Sequence, residues 1–117
     1  MPSSVLIVDD HAGFRATARR LLESEGYAVV GEAEDGAAAL AAVAELRPDV
    51  VLLDVQLPDT DGFEVSSRLT DLGDPPAVIL VSSRDGDDYG SLAGDSGARG
   101  FLAKSDLSGA ALEELLP

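Results

Sequence analysis

The chain has 117 residues, enough for one domain with a two- or three-layer core and too few for two. Cysteine is absent, which excludes disulfides and thiolate chemistry, and no apolar run reaches the roughly 18 residues that span a bilayer. With 22 acidic and 8 basic residues the net charge is −14, which disfavours direct nucleic-acid binding and favours cations and basic partners.

The elements alternate along the chain. Val5-Leu-Ile-Val8 is an apolar run of strand length, closed by Asp9 and Asp10. Phe14, Ala18, Leu21 and Leu22 then recur at helical spacing, with Arg15, Arg19 and Arg20 off the stripe, and Gly26 ends the helix. Residues 27–30 read as a second strand. Asp35 suits the N-cap of a second helix, in which Leu40, Val43 and Ala44 align and which Pro48 stops. Residues 50–53 form the third strand, closed by Asp54. A third helix follows Asp61-Gly62, with Val65, Leu69 and Leu72 on one side, and ends before Pro75-Pro76. Residues 77–81 form the fourth strand, closed by Ser82.

Residues 84–100 are rich in Gly and Asp. Gly90 and Gly94 lie where a fourth helix would form, and each costs about 1 kcal/mol relative to Ala. That helix is therefore expected to be short or mobile. Residues 100–103 make the fifth strand, followed by Lys104. A last helix over residues 107–116 presents Ala111, Leu112, Leu115 and Leu116 together.

Strands alternating with helices, each strand apolar on both sides, predict an α/β domain over residues 1–117: a parallel sheet covered by helices on both faces. In such sheets the ligand site lies beyond the carboxyl ends of the strands. Asp9, Asp10, Asp54, Ser82 and Lys104 all stand at carboxyl ends.

Three carboxylates at one rim repel one another, by roughly 4 kcal/mol for a pair about 4 Å apart at an effective dielectric near 20. A divalent cation relieves this, and oxygen ligands without His or Cys favour Mg²⁺, with Mn²⁺ also possible. Lys104 adds a second positive charge and Ser82 a hydroxyl. Together they suit phosphoryl transfer, with Asp54 as nucleophile. A carboxylate of ordinary pKa is ionised at neutral pH and needs no general base.

These residues resemble the receiver domains of two-component response regulators, over essentially the whole chain. The likeness is carried by Asp9-Asp10, Asp54, Pro58, Gly62, Ser82, Phe101 and Lys104, in order. Asp-Asp-His and Gly-Phe-Leu-Ala-Lys-Ser are most similar to NarL/LuxR-type receivers. The resemblance implies a flavodoxin-like doubly wound sheet in the order 2-1-3-4-5. It implies that Asp54 accepts phosphoryl from a sensor histidine kinase. Asp10, Asp54 and the Gln56 backbone carbonyl would hold Mg²⁺, with Asp9 acting largely through water. Ser82 and Lys104 would hold phosphoryl oxygens. Phe101 would turn inward as Ser82 moves, switching a surface formed by the fourth helix, fifth strand and fifth helix.

The chain departs from the family pattern in places. Ser82 stands for the commoner threonine, and Ser105 replaces a frequent proline, which makes a cis peptide after Lys104 less expected. Gln56 and Arg84 flank the site and are expected to tune dephosphorylation. His11 is read as a loop residue, and Asp59 and Asp61 as turn and N-cap residues.

Alternatives remain open. A Mg²⁺-dependent phosphatase working through an aspartyl-phosphate would need an acid where Gln56 stands. A docking-only pseudo-receiver would not need the full acid, Ser and Lys set. A flavodoxin-like electron carrier would not place Asp9-Asp10 beside a flavin phosphate, and no Gly-x-Gly-x-x-Gly follows any strand. The domain is expected to be a signalling unit that catalyses only its own phosphorylation and dephosphorylation. The start, Met-Pro-Ser-Ser, lacks signal-peptide character, so a cytoplasmic location is expected, with no membrane contact. Output is expected through a protein partner, through an effector domain missing at the C-terminal side, or through a phosphorylation-dependent homodimer.

Overall fold

The computed structural model describes residues 3–83 and 95–116. Five parallel strands form one sheet: β1 (Ser4–Val8), β2 (Ala28–Ala33), β3 (Val50–Asp54), β4 (Ala77–Ser82) and β5 (Gly100–Ala103). Their spatial order is β2-β1-β3-β4-β5. Four α-helices are described: α1 (Ala12–Ser24), α2 (Gly36–Leu46), α3 (Gly62–Thr70) and α4 (Gly109–Leu115).

Side-chain alternation splits the core into two layers. Leu6, Val8, Val51, Leu53, Val78 and Leu80 pack with Val43, Val65 and Leu69 of α2 and α3. Val5, Ile7, Val50, Leu52, Ile79 and Val81 face the other way, onto Ala18 and Leu22 of α1 and Leu112 of α4. Burial on two faces is why β1, β3 and β4 are apolar at successive positions. Each such Val, Leu or Ile contributes roughly 1.5–3 kcal/mol by leaving water. The winding reverses between β1 and β3, which leaves an opening at their carboxyl ends.

Several boundaries differ from those expected. β2 continues past Val30, because Gly31, Glu32 and Ala33 pair with Leu6, Ile7 and Val8. Glu32 is tolerated in this edge strand by ion pairs at 3.0 Å to Arg15 and 2.8 Å to Arg19. α3 stops at Thr70, so Leu72 falls outside the helix and is 47 % exposed. Ala44, expected on the buried stripe of α2, is exposed. The last helix begins at Gly109 and not at 107: a 3₁₀ turn (Lys104–Asp106) precedes it, Leu107 is extended, and Ser108 caps α4 by accepting from Ala111 N–H at 3.0 Å. No cis peptide occurs among the described residues, including that after Lys104. The expected fourth helix and Arg84 lie outside the described residues.

Candidate functional site

Two strand ends repeat one piece of local chemistry. Asp9, just past β1, accepts the backbone N–H of His11 at 2.8 Å through Oδ1. Asp54, the last residue of β3, accepts the N–H of Gln56 at 3.2 Å through its own Oδ1. In both, a carboxylate caps the amide two residues on, an Asx turn that bends the chain away from the sheet. Adjacent parallel strands end level, so the two turns put their carboxylates side by side.

The backbone around them is held from several directions. Asp9 N–H donates to Ala33 O at 3.0 Å, and the Arg15 guanidinium donates to Asp9 O. Val55 N–H donates to Val81 O at 3.1 Å, which continues the β3–β4 ladder past Asp54. The loop beyond then folds back until Gly62 N–H reaches Val55 O at 2.8 Å. Asp61 caps α3 by accepting from Glu64 N–H, as its position suggests. Asp59 does something else. It reaches across to α2 and accepts from Gly36 N–H at 2.8 Å and Ala37 N–H at 3.0 Å. The loop after Asp54 is thereby tied to a second helix.

Asp9 is fully buried and Asp54 is only 4 % exposed, whereas Asp10 lies at the surface. Lys104, brought in from the end of β5, lies 2.6 Å from Asp9 Oδ2 and 3.3 Å from Asp54 Oδ2. Its ammonium also stands 4.5 Å from the centre of the Phe14 ring, a cation–π contact from the α1 side. Burial chiefly, with the Asp9 charge, raises the Asp54 pKa, and the Gln56 N–H and Lys104 pull the other way without cancelling it. The expectation of an ordinary Asp54 pKa is corrected accordingly: a group ending a buried strand loses water that would solvate its charge. Burial disfavours the Lys104 ammonium, but Asp9 and Asp54 outweigh that and hold its pKa above the usual value.

A cavity of about 140 Å³ opens over this group, lined by Asp10, His11, Asp54, Gln56, Ser83 and Lys104 among others. Ser82 is buried at the end of β4 and pairs with Ala103. Phe101 pairs with Leu80, two residues before Ser82, so strand alternation sets Phe101 and Ser82 on one face of the sheet. Phe101 is half-buried against the α2–α3 layer.

His11, expected to be a plain loop residue, and Ser83 both line the site. His11 Nδ1 lies 3.1 Å from Asp9 Oδ1 and 3.1 Å from Asp10 Oδ1. Asp9, Asp10, His11 and Asp54 each offer a ligand atom, and those atoms lie within 4.8 Å of one another. The set fits a divalent cation: carboxylate oxygens dominate it, and three carboxylates share the single nearby ammonium of Lys104. The signal available in sequence was the Asx turn itself, which places residue i+2 against the carboxylate.

Known proteins share this sequence pattern and this fold. A family model described as the response regulator receiver domain matches residues 5–115. The response regulator MprA of a Mycobacterium species is 40 % identical over 116 residues, covering 99 % of this chain and 48 % of that protein. The signal receiver domain of a Mycobacterium tuberculosis protein assigned as the response regulator NarL superposes with a TM-score of 0.87 at 37 % identity, covering 97 % of this chain and 96 % of that one. The chemotaxis response regulator CheY4 of Vibrio cholerae superposes with a TM-score of 0.88 at 26 % identity, covering 99 % of this chain and 100 % of that one. The chain spans about half the length of the curated relatives it matches.

Proposed function

The chain belongs to the response regulator receiver domains of two-component signalling, and on that premise we propose that Asp54 is its phosphoacceptor. An Asp54 carboxylate oxygen attacks phosphorus on the phosphohistidine of a sensor kinase. The phosphorus–nitrogen bond breaks, and the imidazole nitrogen keeps the electron pair and takes up a proton. The observation that carries this reading is the Lys104 ammonium 3.3 Å from Asp54 Oδ2, where it meets phosphoryl oxygens arriving at that carboxylate. The burial that raises the Asp54 pKa also leaves its ionised oxygen poorly solvated, and so more nucleophilic.

Asp10, Asp54 and the Gln56 carbonyl would hold Mg²⁺ in this reading, with Asp9 behind them. When bound, the ion neutralises charge building on the transferred group. Ser82 donates its hydroxyl to a phosphoryl oxygen, and Phe101, on the same sheet face, follows it inward. The signal then passes to a surface that includes β5 and α4, and from there to an attached or separate protein effector, or to a second phosphorylated copy. Among the described residues no helix is long and apolar enough to cross a membrane, which accords with a cytoplasmic role. The net charge of −14 accords with signalling through protein and not through direct contact with nucleic acid.

The test is direct. Wild-type protein incubated with acetyl phosphate and Mg²⁺ gains one base-labile phosphoryl group on Asp54, and Asp54→Asn does not. Equal labelling of both, or none of the wild type, overturns the reading.

A further inference from the structure

Resting on that reading, we propose that His11 is a nitrogen ligand for the cation of the acidic pocket. The site would then discriminate among divalent metals differently from one built of carboxylates alone. The sequence suggests an all-oxygen donor set; the fold adds an imidazole to it.

His11 is held in place by its backbone. Its N–H donates to Asp9 Oδ1 at 2.8 Å, its carbonyl accepts from Arg15 N–H at 3.1 Å, and it stands at the N-cap of α1. The ring is 71 % exposed, but its Nδ1 faces the acidic group. It lines the 140 Å³ cavity and points Nδ1 at oxygens of two different carboxylates, 3.1 Å from each. Ligand atoms about 2.1 Å from one octahedral ion lie about 3.0 Å apart along a shared edge. The His11 nitrogen thus already has the spacing from Asp10 that coordination of a common ion requires. The carboxylate beside it is buried and charged: Asp9 Oδ2 is inaccessible to water and has the Lys104 ammonium at 2.6 Å, the one cation drawn so far into this acidic group among the described residues. Imidazole adds little for Mg²⁺ but strengthens binding of Ni²⁺ and Co²⁺.

His11 is the sole histidine of the chain, so an imidazole signal from tag-free protein has one source. Two measurements test the proposal. In pulsed EPR of the Mn²⁺-loaded protein, wild type shows a directly bonded ¹⁴N coupling that His11→Ala lacks. In calorimetric titrations, the ratio of Ni²⁺ to Mg²⁺ affinity falls roughly tenfold or more in His11→Ala. Absence of the nitrogen coupling, or a ratio within about twofold of wild type, overturns the proposal, and the ring is then only a hydrogen-bonding cover that the ion displaces. Labelling of wild-type Asp54 with acetyl phosphate and Mg²⁺ is run alongside. Labelling without nitrogen coupling removes the His11 assignment alone, whereas failure to label removes the phosphoacceptor reading.

Discussion

A Cβ built at Gly62 would lie 2.3 Å from the carbonyl oxygen of Asp54, closer than any real Cβ contact. The start of α3 therefore rests against the backbone of the proposed phosphoacceptor, with only a hydrogen atom's thickness to spare. Gly62→Ala must displace either the Asp54 peptide or the first turn of α3. Urea denaturation should show a loss of about 1–3 kcal/mol, as overpacking does elsewhere, together with slower phosphorylation by acetyl phosphate. Wild-type stability in this variant would mean that the two backbones are not in contact.

Lys104 compensates two buried carboxylates, so Lys104→Met should leave Asp9 and Asp54 facing each other with no counter-charge. Stranding buried charge in this way costs on the order of 3 kcal/mol. Mg²⁺ should then raise the unfolding midpoint of the variant more than that of wild type, because the ion replaces the missing ammonium. Equal Mg²⁺ responses would show that Lys104 does not supply the compensation.

The raised Asp54 pKa has a definite sign for stability. Folding favours the protonated form, so this group's contribution is fully present below the ordinary carboxylate range and is lost as pH rises through its folded value. Asp54→Asn removes the charge at similar size. In metal-free buffer it should be more stable than wild type near neutrality, with the difference shrinking toward about pH 4. A difference that is flat with pH, or that grows in acid, would contradict the burial argument.

Glu32 carries the opposite sign. Hydrogen bonding to Arg19 first, and then to Arg15, lowers its pKa against the effect of burial. Its contribution is present above the ordinary glutamate range and is lost as pH falls through the lowered folded value. Glu32→Gln should cost at most about 1 kcal/mol near neutrality, since the pair is partly exposed, and should flatten that acid-side loss in pH-resolved urea titrations. Arg15 also holds the Asp9 carbonyl, so Glu32→Gln should weaken Mg²⁺ binding slightly.

Phe101 and Ser82 lie on one face of the sheet, and Lys104 reaches the acids from the end of β5, the strand that carries Phe101. Lys104→Ala should still accept phosphoryl groups with Mg²⁺ but fail to transmit the change. Hydrogen exchange around Phe101 should respond to phosphorylation in wild type and not in Lys104→Ala. An identical response in the two proteins would place the coupling elsewhere.

Much of the fold is legible because its signals are local. The apolar runs ending in Asp9, Asp54 and Ser82 are strands whose burial on both faces shows directly in composition. Asp35, Asp61 and Ser108 sit where helix caps belong, although a helix start at 107 hides Ser108 inside the element. β2 was cut short for a related reason. Gly31 and Glu32 resemble a turn until β1 pairs with them and two arginines from α1 neutralise the charge.

The alternation of elements, the two-sided burial of the central strands and the set of reactive groups at their carboxyl ends are all written in the linear chain. Periodicity and capping depend on neighbours a few residues away, so no tertiary information is needed to read them. How those groups meet is a property of the folded chain. Folding turned His11 into the pocket, sent Asp59 to cap α2, seated Lys104 nearer Asp9 than Asp54, and raised the Asp54 pKa. Each of these depends on strand register and on water excluded by distant segments, which no short stretch of chain encodes.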